Sequence, residues 1–266
     1  MKKLIIWFLA FIITAASAVY QRRTGPTYHI RGKAAVAGAS LKFELPRSHE
    51  TSADCLVDVA VPAPEVTGRI LYRRSKTQDA WSEAPMERQG DRLGGFLPKQ
   101  PAAGKLDYSV VLNDRGQEVS LTGEKPVIIR FRGHVPLGIL LAHILVMFAA
   151  MLLSTRAGLA ALNKKDHPRL FGAWTVLFLL VGGFVLGPLV QKLAFGTWWT
   201  GVPLGWDLTD NKTLIAMVVW IIAMVAGRKG RGARGWILAA SVLMLVVFLI
   251  PHSLLGSELK YPQAGR

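Results

Sequence analysis

The stretch LFGAWTVLFLLVGGFVLGPLV, residues 170–190, carries no charged side chain. A hydrocarbon layer about 30 Å thick is crossed by roughly 20 helical residues, so this block alone places the chain in a membrane. Four further blocks are nearly free of charge: Leu4–Tyr20, Pro136–Leu153, Thr213–Ala226 and Trp236–Ile250. The last two are short for a crossing unless their helices extend into the flanks, and Thr209 and Gly232 are the expected true starts.

Cations set the expected orientation. Lys2, Lys3, Arg156, Lys164, Lys165, Arg169, Arg228, Lys229, Arg231 and Arg234, opposed by Asp166 alone, fall on one side if all five blocks span. They hold more than half of the net charge of +15. The high pI thus follows membrane topology, and a nucleic-acid partner is not expected. The chain reads as a multi-pass protein of the bacterial inner (cytoplasmic) membrane. Residues 21–135, the segment 191–212 and the C-terminal tail 258–266 then lie on the periplasmic side.

The first block, residues 1–20, has two readings. Lys2-Lys3, an apolar run and Ala16-Ser17-Ala18 fit a cleavable signal peptide, and they fit an uncleaved signal-anchor helix equally. Either one exports residues 21–135, which read as β. Val57–Val61, Arg69–Arg73, Leu106–Leu112 and Val127–Arg132 are short β-branched or alternating runs. Turn signals stand between them at Pro62-Ala63-Pro64, Gly94-Gly95, Pro101–Gly104 and Asn113–Gly116. About seven strands in this length suit an all-β immunoglobulin-like sandwich. Tyr72, Trp81 and Tyr108 are expected in its core, and the lone Cys55 is expected to be a small buried residue. The run Leu71-Tyr72-Arg73-Arg74, Trp81, Met86, Leu97-Pro98 and Tyr108-Ser109-Val110 resembles fibronectin type III-like modules. That resemblance implies a fold and says little about function; docking or spacing is the default role expected of such a module. Residues 136–257 are expected to form a four-helix transmembrane bundle.

Within the bundle, the segment 191–212 holds Trp198, Trp199 and Trp206, together with Gly196, Gly201, Pro203 and Gly205. A connector needs polar turn residues, whereas three indoles braced by Gly and Pro make an apolar platform at the membrane surface. Asp207 is expected to cap the next helix, with Asp210 in its first turn; this structural role accounts for both acids. His143 interrupts an apolar span, where an ionisable group is a functional candidate, the alternative being an interhelical hydrogen bond. His252 follows Pro251 at the outer end of the last block, a place that also suits a cap. His167 reads as a solvated loop residue. Neutral imidazole is a good ligand for heme iron.

Phe195-Gly196-Thr197-Trp198-Trp199 and Gly205-Trp206-Asp207, leading into Lys212–Trp220, resemble the tryptophan-rich WWD loop of the heme-handling membrane proteins of cytochrome c maturation. The resemblance covers about residues 136–257, with Val202-Pro203-Leu204 enlarging the loop and Leu208–Asn211 replacing the family's Pro-Lys-Glu segment. It implies a basic loop, a helix and an outer histidine after the Trp loop, which here are Arg228–Arg234, Trp236 onward and His252. It implies an upstream histidine too, which here is His143. His143 and His252 would then ligate heme iron, with Trp198, Trp199 and Trp206 around the porphyrin and Asp207 at the helix entrance. His143 lies about 10 Å into the second span at 1.5 Å per residue, and His134 is the substitute ligand. Without a Cys-x-x-Cys-His motif, heme would be held non-covalently.

The leading expectation is therefore a heme-binding membrane protein that carries or transfers heme at the outer face. Its partner there would be a cytochrome or redox protein. A bis-His electron-transfer subunit and a cofactor-free membrane anchor or assembly factor are the other two readings. With no set of catalytic acid, base or nucleophile in view, the chain does not read as an enzyme.

Overall fold

The computed structural model describes residues 2–227, 232–251, 256, 258–259 and 261. It divides into a helical unit, Met1–Pro26 with Val135–Ser257, and a β unit, Thr27–His134 with Glu258–Arg266.

In the helical unit the apolar blocks become α1 (Lys2–Thr24), α2 (Leu137–Leu162), a long helix over 168–195, α5 (Leu208–Ala226) and α6 (Ala233–Leu249). The long helix consists of α3 (Pro168–Leu179), a π-helical segment (Leu180–Leu186) and α4 (Gly187–Phe195). Four of the helices are long and apolar enough to cross a membrane, and α6, with 17 residues, is shorter. The chain is accordingly built as a multi-pass membrane protein. The starts of α5 and α6 fall within one residue of those expected at Thr209 and Gly232.

The expectation of a bundle made from the four later spans needs correction. Helix α1 packs on α2 and α6 through a stripe of small and polar residues. Ala10, Thr14 and Ser17 are buried. Thr14 Oγ1 donates to Thr155 Oγ1 at 3.4 Å, and the Gln21 amide donates to the Phe248 carbonyl. Polar side chains between helices are favourable where no water competes for them.

At the end of the helical unit opposite the Trp-rich segment, arginines close the turn between α2 and α3. Arg234 reaches from α6 to donate to the carbonyls of Ala160, Asn163, Lys164 and Asp166. Arg156 is 1% exposed, pairs with Asp166 at 2.7 Å and lies 4.4 Å above the Phe171 ring. The cation is thus matched by a carboxylate and a π face, the two partners that make burial of a guanidinium tolerable. His167, as expected, is exposed in this turn.

Among the described residues the β unit contains ten strands. β1 (Ile30–Val36) and β2 (Ala39–Leu45) form a separate hairpin. The others are β3 (Ser48–Glu50), β4 (Cys55–Ala60), β5 (Thr67–Arg74), β6 (Ser82–Gln89), β7 (Arg92–Leu97), β8 (Lys105–Asp114), β9 (Gln117–Ser120) and β10 (Val127–Arg132). They follow the order β3-β10-β8-β5-β6-β7-β4, with β9 on β8. β6 turns the corner: Ser82–Met86 pair with β5, whereas Glu87–Gln89 pair with β7. Val57, Val59, Leu93 and Leu97 from one end of the ladder thereby join Ile70, Tyr108, Val110, Ile129 and Phe131 in one core. Tyr108 is fully buried and donates its hydroxyl to the Pro46 carbonyl at 2.7 Å. Burial raises its ionisation well above the usual phenol range.

All four expected runs lie in strands, and Cys55 is buried as expected. Two expectations fail. Gly94-Gly95 is no turn but the middle of β7. A Cβ on Gly95 would meet Ile70 Cδ1 at 2.9 Å and the Pro85 carbonyl oxygen at 3.1 Å, so the pair keeps the strand close to its neighbours. Trp81 is not core: it is 41% exposed, with the Arg73 guanidinium 4.5 Å from its ring centre. Near the C-terminus the described residues Glu258, Leu259 and Tyr261 are tied to the β unit. Leu259 N–H donates to the Ala103 carbonyl, Glu258 accepts from Lys76 and Lys105, and the Tyr261 hydroxyl donates to Gln100.

Candidate functional site

The Trp-rich segment is a closed loop built on the first turns of α5. Asp207 is the N-cap and accepts the Thr209 N–H at 2.7 Å, as the sequence implied. Asp210 has a larger role than a first-turn acid. Its carboxylate accepts the Thr200 N–H at 2.6 Å, the Thr200 hydroxyl at 3.1 Å and the Gln191 amide at 3.1 Å. Asn211 Oδ1 accepts the Val202 N–H at 2.8 Å, next to a cis Val202–Pro203 bond. The Asp207 N–H closes the ring onto the Thr200 carbonyl. Gly201 makes this possible, because a Cβ there would lie 2.6 Å from that of Asp210.

The three tryptophans are not equivalent. Trp199 is half-buried, stacks on Phe184 of the π segment at 5.6 Å between centroids and donates its N–H to the Val202 carbonyl at 3.1 Å. It pins the loop back onto the helix. Trp198 and Trp206 are 56% and 86% exposed, beside the exposed Leu204. These three side chains are exposed apolar groups of the loop.

His143 meets the same π segment from α2, its Nδ1 donating to the Gly182 carbonyl at 3.0 Å. The carbonyl has no proton, so Nδ1 carries the hydrogen, and in the neutral ring Nε2 then keeps its lone pair. That carbonyl also accepts the Gly187 N–H, the wide spacing that defines the π turn. Gly182 and Gly183 admit the flanking helices: added Cβ atoms would lie 2.7 Å from Met147 Sδ and 2.4 Å from Thr213 Cγ2. The π segment therefore touches His143 at Gly182 and Trp199 at Phe184, two residues apart.

His252 lies outside the described residues. Ile250, two positions before it, accepts from the Lys212 ammonium at 2.6 Å and from Gln21 at 3.4 Å. The end of α6 is thus held beside the first turns of α5. A cleft of about 650 Å³ lined by Ala16, Ser17, Tyr20, Leu249, Ile250 and Pro251 opens there. His134, the substitute ligand, belongs to the β unit, where it contacts Glu50 at 3.3 Å. No group of three or more His, Cys, Asp or Glu able to hold a metal occurs among the described residues.

The sequence reading missed Gln191, Phe184 and Gly182, and of Asp210 it captured only the first-turn position. The polar Gln191, one turn before the end of an apolar helix, was the available signal. Compared with protein-family models, curated proteins and solved structures, the chain has no match in any of the three.

Proposed function

We propose that this is a heme-binding protein that holds or transfers heme at the outer face of the bacterial cytoplasmic membrane, in connection with cytochrome c assembly. The observation that carries the reading is the His143 tautomer. A histidine ligand characteristically donates its second ring N–H to a carbonyl or carboxylate, which fixes the ring and raises the basicity of the ligating nitrogen. His143 makes that bond to Gly182, and its Nε2 has no hydrogen bond among the described residues. One imidazole ligand therefore fits. Heme would supply an iron centre whose axial positions accept neutral imidazole.

His143 and His252 would be the ligands, and Trp198 and Trp206 would offer faces to the porphyrin. Trp199 would act from behind as the pin of the loop, and Asp207 as its cap. The cations gathered near the α2–α3 turn support an orientation with the Trp loop outside. In the β unit, the β4–β7 ladder, the β6-β5-β8-β10 ladder and the parallel β3–β10 pair support the immunoglobulin-like reading. Its role would be to position a cytochrome or redox partner.

A specific observation favours a second reading, a cofactor-free anchor whose loop packs on another protein. Trp199, Asp207 and Asp210 are all engaged by the loop's own architecture, which leaves an apolar crown with no internal role. An optical spectrum separates the two. Protein purified from heme-supplied cells should show a Soret band that His143→Ala weakens or shifts and His167→Ala leaves alone. Protein that stays colourless after reconstitution with heme would sink the heme reading.

A further inference from the structure

The β1–β2 hairpin is a sheet of its own, and β4 ends the long ladder. β2 and β4 therefore each keep one edge with no strand paired to it. Between the hairpin and β4 opens a groove of about 860 Å³. In antiparallel pairing alternate residues turn their N–H and C=O away from the partner, so such an edge is a template for another strand. Proteins usually blunt exposed edges with charge, proline or a bulge. In β4, Cys55–Ala60, the single charge is Asp58, which is paired with Arg92.

The walls of the groove define what would fit. Leu56, 49% exposed, supplies apolar surface, while Phe43 and Val59 behind it belong to the core. The two acids are already engaged: Glu44 accepts from Arg31 and His29, each at 2.9 Å, and Asp58 from Arg92. Lys33 and Lys42 stand directly opposite each other in the β1–β2 register, both exposed. Neither enters an ion pair among the described residues. Like charges facing across a strand pair repel. An uncompensated pair of cations thus borders an open strand edge that carries the exposed Leu56.

We propose that this groove takes an extended acidic peptide segment of a partner protein by strand addition. The peptide backbone pairs with the free edge of β4, its apolar side chains lie against Leu56, and its carboxylates neutralise Lys33 and Lys42. Backbone pairing supplies affinity in this mode and alternate side chains supply selectivity. The proposal is independent of heme.

The test uses the full-length protein in zwitterionic phosphatidylcholine nanodiscs and fluorescence anisotropy of three labelled peptides. One alternates Glu and Val, one alternates Lys and Val, and the third is the acidic peptide with alternate amides N-methylated. The acidic peptide should bind saturably with a Kd on the order of tens of micromolar. N-methylation should weaken it about tenfold or more, since it removes edge hydrogen bonds. The double variant Lys33→Glu/Lys42→Glu should lose at least about tenfold, and the milder Lys33→Gln/Lys42→Gln serves if that variant fails to fold. Equal binding of the acidic and basic peptides overturns the proposal. So does indifference to N-methylation, or the absence of saturable binding below about 1 mM.

Discussion

Replacing Asp210 by Ala would loosen the Trp-rich loop without altering its exposed tryptophans. The carboxylate is 6% exposed and accepts three hydrogen bonds, two from Thr200 and one from Gln191. Bonds to a charged acceptor contribute roughly 1.5–3 kcal/mol each, and they are not additive when they share one group. A loss of about 3 kcal/mol for the local closing of the loop is the resulting figure, equivalent to a hundredfold or slightly more in the open population. Chymotrypsin reads this directly, because Trp198, Leu204 and Trp206 are its preferred sites and cleavage tracks the open fraction when reclosing is fast. Asp210→Ala should be nicked within 198–206 about a hundred times faster than wild type, with unchanged helical circular dichroism. Asp207→Ala, which loses the N-cap bond to Thr209, should show a rise nearer fivefold, from about 1 kcal/mol. Wild-type cleavage rates in Asp210→Ala would refute the reasoning, because the loop would then be held by something other than this carboxylate.

Two further outcomes follow from the β unit. Burial raises the Cys55 thiol to about 11, so at pH 8 roughly one molecule in a thousand carries the reactive thiolate. Iodoacetamide should therefore leave the native protein unmodified at pH 8, label it faster as the pH approaches that value, and label it at once in denaturant; rapid native labelling at pH 8 would contradict the buried assignment. Gly95→Val should lower the midpoint of thermal unfolding by several degrees, from about 1–3 kcal/mol of overpacking against Ile70 and Pro85. An unchanged midpoint would return Gly95 to the role of a turn residue.

The helices were legible because apolar blocks of membrane length need no context to be recognised, and the starts of α5 and α6 because Asp207 and Gly232 punctuate them. The four β-branched runs were legible for the same reason on a two-residue period. The β1–β2 hairpin was not. The inward face of β1 runs Ile30, Gly32, Ala34, Val36, with small residues at its middle that weaken the apolar alternation, and the hairpin turns at Ala37–Gly38, where Ala37 itself adopts φ 50°. Gly94-Gly95 misled because glycine serves close packing as readily as turning, and only the neighbours distinguish the two. At the site, Asp207 could be read as a cap, since capping is local. The joint work of Asp210, Gln191 and Thr200 could not, because it depends on which helices lie side by side. The π segment has no residue signature, as Leu180–Leu186 reads like any apolar helix. The inequality of the three tryptophans follows from that segment, through Phe184.

The Arg234 contacts carry a consequence for biogenesis. The carbonyls of the α2–α3 turn are satisfied by a side chain placed 70 residues beyond Lys164. At about 5–20 residues per second of synthesis, that turn waits several seconds for its donor. Until α6 arrives, water must serve Lys164 and Asp166 in its place, whereas Ala160 and Asn163 already accept the N–H groups of Asn163 and Asp166. The corner that links the second and third passes is thus among the earliest parts of the bundle to be made and among the last to be finished.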